Sequence, residues 1–222
     1  MRFVSLLLAV LVMFFASPSA HAAGKVALVI GNGDYINANP LPNPTNDATD
    51  MSAALQALGF TVIGGNNLDF ATMGAKIGEF EDAARNADVT LLFYAGHGIQ
   101  VDGRNYLVPV DLQFRAGSGL TDTMMDMDTI MAGLDDQVRT NILILDACRN
   151  NPMAPKLASA GPARDIGAGS GLAAPATLGA GSTLGAGTLI AFATAPGQVA
   201  LDGEGANSPF SAALTRHIGT PG

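Results

Sequence analysis

The chain has 222 residues, 48% of them hydrophobic and 14% charged, which is enough apolar material for one domain with a real core and rules out a disordered chain. A formal net charge of -8 and a pI near 4.6 argue against nucleic acid as the main partner and mildly favour basic ligands.

Residues 1–22 read as a targeting segment. Arg2 supplies the positive n-region, Phe3 to Ala16 an uncharged apolar run, and Ala20-His21-Ala22 a small-x-small cleavage signal. The apolar run is short for a membrane span. The expectation is an exported chain, periplasmic or secreted, that starts near Ala23 without stable membrane insertion and carries a charge of -9 once Arg2 is removed.

Lys25 to Ile30 predicts a first strand, closed by the turn Gly31-Asn32-Gly33-Asp34. That turn lacks the full glycine pattern of a nucleotide loop. Ala48, Met51, Leu55 and Leu58 predict a helix stopped by Gly59, and Phe60 to Ile63 a second strand. Met73, Ile77, Phe80 and Ala84 predict a second helix with Asp69 as its N-cap. Val89 to Tyr94 predicts a third strand, running into Ala95-Gly96-His97-Gly98. Residues 99–110 alternate around Asp102-Gly103, a hairpin signal. Asp126 and Asp128 sit at the start of a short helix through Ile130, Met131 and Leu134. Met124, Met125, Met127 and Met131 read as core or loop filling. Asn141 to Leu145 predicts the fourth strand and Thr188 to Phe192 the fifth. Ser208-Pro209 opens a last helix through Phe210, Ala213 and Leu214. Strands alternating with helices indicate a mostly parallel α/β sheet.

More than half of residues 158–187 are Gly or Ala, so this stretch buries little and reads as a flexible linker inside a domain spanning 23–222.

Cys148 is the only cysteine. It excludes an internal disulfide and leaves three readings in an exported protein: an inert buried thiol, an intermolecular bridge or a reactive nucleophile. Its place after a strand, with His97 after another 51 residues upstream, favours the last. Ligands of a parallel α/β sheet sit at the carboxyl ends of its strands, where a thiol and an imidazole make a nucleophile and its acid/base partner.

Tyr94-Ala95-Gly96-His97-Gly98 and Asp146-Ala147-Cys148-Arg149-Asn150 resemble the two catalytic motifs of the caspase-like cysteine peptidases, and are more similar to those of bacterial metacaspase-like proteins (orthocaspases) than to those of animal caspases. Further matching segments are 27–32, 44–48, 105–111 and 193–197, so the likeness runs from about Lys25 to Ile218. The resemblance implies a mostly parallel six-stranded sheet between helices, whose last strand this sequence, with little beyond Ile218, leaves in doubt. It implies a Cys148–His97 dyad, with oxyanion donors at the backbone N–H groups of Gly98 and Cys148. It also places Asp146 and Asp47 in the pocket for the residue before the cut, with Ala95 where a serine is common. Carboxylates there favour Arg or Lys in a peptide substrate and repel Asp. As plain structure, Asp146 would be a strand-end cap and Asp47 a first-turn helix acid.

Lys156 and Arg164 are the only basic residues between Arg149 and Arg216, so they are candidate self-cleavage points in the linker region, which reads equally well as a plain spacer. Asp111, Asp126 and Asp128 fall near the acidic positions of the calcium site of many metacaspases. No acid follows Cys148 through Pro155 to complete the six to eight oxygens Ca²⁺ requires, so no metal and no cofactor is expected. The competing functional classes are a non-catalytic caspase-like binding module and a thiol acyltransferase. The oligomeric state is open.

Overall fold

The computed structural model describes residues 24–101, 104–113, 120–134, 140–148, 187–194 and 202–220, without the side chains of Leu120 and Cys148. The expected targeting segment, the turn at 102–103, residues 149–186 with Lys156 and Arg164, and residues 195–201 lie outside the described residues.

The strand β1 (Lys25–Gly31) leads to the helix α1 (Pro44–Ala57), then to β2 (Thr61–Asn66) and α2 (Phe70–Ala84). A long β3 (Val89–Val101) follows, then β4 (Arg104–Leu107), a two-residue β5 (Met125–Asp126) and the short helix α3 (Met127–Gly133). The described chain closes with β6 (Thr140–Cys148), β7 (Thr188–Phe192) and α4 (Pro209–His217). Each helix anticipated from periodicity is present. Three N-caps are satisfied by their own side chains: Asp69 accepts from Thr72 N, Asp126 from Asp128 N and Ser208 from Ser211 N.

The parallel strands run in the order β2-β1-β3-β6-β7. Beyond this layer β3 continues and pairs antiparallel with β4, which pairs with β5. Among the described residues the sheet has seven strands, five in the parallel layer and two, β4 and β5, in the antiparallel extension, in line with the expected mostly parallel sheet between helices. The antiparallel extension starts from β3. Its sequence reads as a strand to Tyr94, yet the extended backbone runs seven residues further, because the hairpin gives its far end a partner.

Alternation along the strands divides the core. Val26, Leu28, Ile30, Leu92, Tyr94, Leu143 and Leu145 face α2 and α3, meeting Met73, Phe80 and Ile130. Ala27, Val29, Leu91, Phe93, Ala95 and Ile144 face α1, meeting Met51 and Leu55, with Phe210 and Leu214 of α4 packed alongside. Near-continuous apolar strands are what a sheet covered on both faces demands. Met124, Met127 and Met131 are buried, in line with a packing role. Among the described residues no helix is long and apolar enough to cross a membrane.

The first turn of α1 comes very close to the end of β1. A Cβ at Gly31 would lie 2.2 Å from Pro44 O and 2.7 Å from Ala48 Cβ. Gly31→Ala should therefore push α1 outward and cost about 1–3 kcal/mol, read as a lower urea midpoint at unchanged m.

Candidate functional site

The carboxyl end of β6 and the point of β3 beside it, where their parallel pairing stops, form the centre of the candidate active site. Their parallel register pairs Ala95 with Asp146, Gly96 with Ala147 and His97 with Cys148. Neighbouring strands are about 4.8 Å apart, so the two residues singled out as nucleophile and base stand side by side on adjacent strands. His97 is not at a strand terminus, as its sequence context suggests. It stands where β3 leaves its parallel partner β6 and takes up its antiparallel partner β4, one residue before the pair Gly98–Leu107.

That junction also orients Gly98. Val108 N donates to His97 O at 3.1 Å, which makes Gly98 and Leu107 a non-hydrogen-bonded pair of the antiparallel ladder. The Gly98 N–H is thereby turned away from β4, towards the side on which β6 ends.

His97 is buried. Its Nε2 lies 2.8 Å from the carbonyl oxygen of Asn39, an acceptor only, so Nε2 carries the ring proton and donates. The other nitrogen, Nδ1, is buried with no hydrogen-bond partner among the described residues. Burial lowers the imidazole pKa, and the bond to Asn39 only partly offsets this. The ring is therefore neutral near pH 7, with a basic Nδ1 available.

The second part of the site lies beneath Ala95, on the face covered by α1 and α4. Asp146 is buried, and one of its oxygens, Oδ2, accepts from both Ser208 Oγ and Ser211 Oγ, the latter at 2.7 Å. Asp47, in the first turn of α1, is also buried and accepts from Ser208 N at 3.0 Å. Neither aspartate is a simple cap. One seryl residue, the N-cap of α4, joins both carboxylates across gaps of 62 and 161 residues. The segment 202–208 is stitched to α1 by further side-chain bonds: Asn43 Nδ2 to Asp202 O, Asn46 Nδ2 to Ala206 O at 2.8 Å and Asn207 Nδ2 to Asp50 Oδ2 at 3.0 Å.

The structure thus brings Asp47, Asp146 and Ala95 together and adds Asp202, whose Oδ2 is buried without a partner among the described residues. Desolvation raises the pKa of all three aspartates. The Asp47 carboxyl is pushed up to about 6, first by burial and further by the charges of Asp146 and Asp202, against the lowering effect of the Ser208 and Asn207 hydrogen bonds. Such a cluster is uncomfortable without a cation.

A stability test follows. The native Asp47 carboxyl holds its proton up to about pH 6, whereas an ordinary one loses it near 3.8. The folded state therefore binds more protons between those values, and stability falls as pH rises through that window. Asp47→Asn should leave Tm unchanged below the window. Above pH 6 it should raise Tm by about 2–4 °C, corresponding to about 1 kcal/mol after allowance for solvent screening.

The acidic residues considered for calcium have other partners. Asp111 Oδ1 accepts from Phe70 N at 2.8 Å, at the start of α2. Asp126 and Asp128 both bind the Arg104 guanidinium. Among the described residues no group of three or more His, Cys, Asp or Glu side chains is arranged to hold a metal ion. Asn32, in the turn after β1, is a structural brace. It is fully buried, accepts from Leu68 N at 2.9 Å and donates to Val108 O at 3.1 Å.

Sequence reading misses Asn39, Tyr35, Ser208 and Ser211 as site residues. Asn39 acts through its carbonyl, which no side-chain pattern announces, and Ser208 is legible only as the N-cap of its own helix.

The mostly parallel α/β sheet thus sets His97 and Cys148 at one register position, where β6 ends beside β3. The chain belongs to the caspase-domain family, peptidase C14, whose family model matches residues 24–222. Among curated proteins it is similar to mucosa-associated lymphoid tissue lymphoma translocation protein 1 of Homo sapiens and to its homolog in Mus musculus, each 30% identical over 128 residues, which is 58% of this chain and 15% of theirs. The chain thus spans about one seventh of the length of these relatives. Among solved structures it is similar to the Drosophila initiator caspase Dronc, at 18% identity and a TM-score of 0.43, over 54% of this chain and 47% of that one.

Proposed function

We propose that this protein is a cysteine endopeptidase that cuts after Arg or Lys. The observation that carries the reading is the pairing of His97 with Cys148 across β3 and β6, with Nε2 held by Asn39 O and Nδ1 left as the base. In this mechanism His97 Nδ1 takes the Cys148 thiol proton, and the thiolate adds to the scissile carbonyl. The resulting oxyanion is held by the N–H groups of Gly98 and Cys148. His97 then returns the proton to the leaving amine. Water, deprotonated by the same nitrogen, hydrolyses the thioester, releasing the acyl product and restoring the thiol. The orientation of the Gly98 N–H away from β4 supports its part in this scheme.

Asp146 and Asp47, with Asp202 beside them, receive the basic side chain. Their raised pKa values support this role, because a bound guanidinium or ammonium relieves the mutual repulsion and discharges the bound protons. The reading extends to an exported protein, released by cleavage near Ala22, that acts on protein or peptide substrates without a metal and processes itself after Lys156 or Arg164.

The test is cleavage of fluorogenic peptides ending in Arg, Lys or Asp, with calcium or with chelator. Cleavage after Arg and Lys, equal in both buffers, is expected. Cleavage only after Asp would overturn the specificity, and loss of cleavage in chelator would overturn the metal-free mechanism. The absence of any cleavage by the folded chain would favour a non-catalytic caspase-like binding module. Mass spectrometry of an active preparation that finds the chain intact at 156 and 164 would rule out self-processing.

A further inference from the structure

We propose that Tyr35 is a positioning residue for His97, acting through a closed ring of hydrogen bonds around the histidine's own backbone; this inference rests on the reading of His97 as the catalytic base. His97 N donates to Tyr35 OH at 2.7 Å. Tyr94 OH donates to His97 O at 2.8 Å. The two hydroxyls are 3.2 Å apart. Tyr94 OH also lies 3.1 Å from Val108 O and accepts from Val108 N at 3.3 Å, which ties the pair to the start of the segment after β4. With His97 N on Tyr35 OH and His97 O on Tyr94 OH, the contact between the two hydroxyls closes the ring, and buried hydrogen bonds linked in this way strengthen one another.

The ring of Tyr35 adds a second constraint. Its centroid lies 4.4 Å from that of the imidazole, at an interplanar angle of 41°. All three residues are buried, so the hydroxyls have little access to competing water. Room for them depends on Gly96. A Cβ there would sit 2.6 Å from Tyr35 OH and 2.7 Å from Tyr94 OH, and the residue's φ of +151° is itself unfavourable to a side chain. The groups around His97 are thus Tyr35 and Asn39 from the loop after β1, Tyr94 from its own strand and Cys148 across β6.

The same loop supplies both contacts to His97. It is pinned by Tyr35 N to Gly33 O at 3.0 Å, Ile36 N to Val110 O at 2.9 Å and Asn37 Nδ2 to Leu112 O at 3.0 Å. Tyr35 therefore ties the imidazole, through its ring and its backbone, to the loop whose Asn39 carbonyl sets the tautomer. Losing that tie leaves the imidazole able to turn and present Nδ1 poorly, and a misplacement of about 1 Å costs a reaction about 100-fold.

The test uses Tyr35→Phe and Tyr35→Leu in the full chain, with folding checked by near-ultraviolet circular dichroism. Kinetics and the ¹⁵N imidazole spectrum are both recorded, with His97→Gln to assign the signals. Tyr35→Phe should lower kcat about 10-fold with KM within about twofold, and Tyr35→Leu about 100-fold. In both, the wild-type pattern of protonated Nε2 and bare Nδ1 should give way to mixed tautomers. A wild-type tautomer pattern in both folded variants would overturn the proposal, whether their kcat is unchanged or falls only in step with thermal stability. The spectrum is read without substrate, so it decides the role of Tyr35 even if the wild-type chain cleaves nothing. That second result would instead count against the peptidase reading.

Discussion

Cys148→Ala is expected to reduce kcat/KM on Arg and Lys peptides by about 10⁴-fold or more, and His97→Ala by a similar factor. The double variant should be no worse than either single one. The reason is mechanistic coupling. In the register His97–Cys148 the imidazole has one task, to carry the thiol proton, and that task disappears with the thiol. An unassisted thiol at its ordinary pKa near 8.5 is only a few per cent ionised at neutral pH, so loss of the base cannot be made up by the solvent. Stopped assays on the two single variants and the double variant, at one substrate concentration well below KM, check this. Residual cleavage within tenfold of wild type in Cys148→Ala would assign the chemistry to another group. Additive losses in the double variant would mean that the two residues act in separate steps.

For Asp146→Asn, activity and stability should move in opposite directions. The side chains have the same shape, and the amide oxygen can still accept from Ser208 and Ser211. The buried negative charge is gone, however. A charge pair desolvated on one side is worth about 3 kcal/mol, so kcat/KM for Arg and Lys substrates should fall about 100-fold, mostly through KM. Burial is the main force raising the Asp146 carboxyl pKa, with the two seryl bonds opposing it. Like Asp47, this group therefore costs stability as pH rises above the ordinary carboxylate range, and the variant should melt no lower than wild type at pH 7.5. Paired measurements of KM and Tm test this. A normal KM for Arg peptides would remove Asp146 from the substrate pocket, and a sharp fall in Tm would make it a structural brace instead.

Much of the architecture is legible locally. Apolar runs such as Leu91-Leu92-Phe93-Tyr94 and Ile142-Leu143-Ile144-Leu145 belong to strands covered on both faces, and the spacing of Met73, Ile77 and Phe80 belongs to a helix with one buried side. The caps at Asp69, Asp126 and Ser208 are equally local, because each acts within three residues of itself. What is not legible is where β3 ends. His97 looks like the residue after a strand and is instead a residue inside one, because the far half of β3 is held by β4. A strand's length depends on its partners as well as its own propensity.

By itself, then, the sequence determined the class of fold, the two strands that carry the reactive residues and the acidic character of the ground beside them. Only the tertiary structure decided that Asn39 fixes the tautomer of His97, that Tyr35 and Tyr94 close a ring around it and that a single serine joins Asp47 to Asp146. Periodicity and caps reflect forces between residues a few positions apart, which leave a pattern in the chain. These other bonds join groups separated by up to 161 residues, several through backbone atoms common to every residue, and exist only once the sheet has brought its strand ends together.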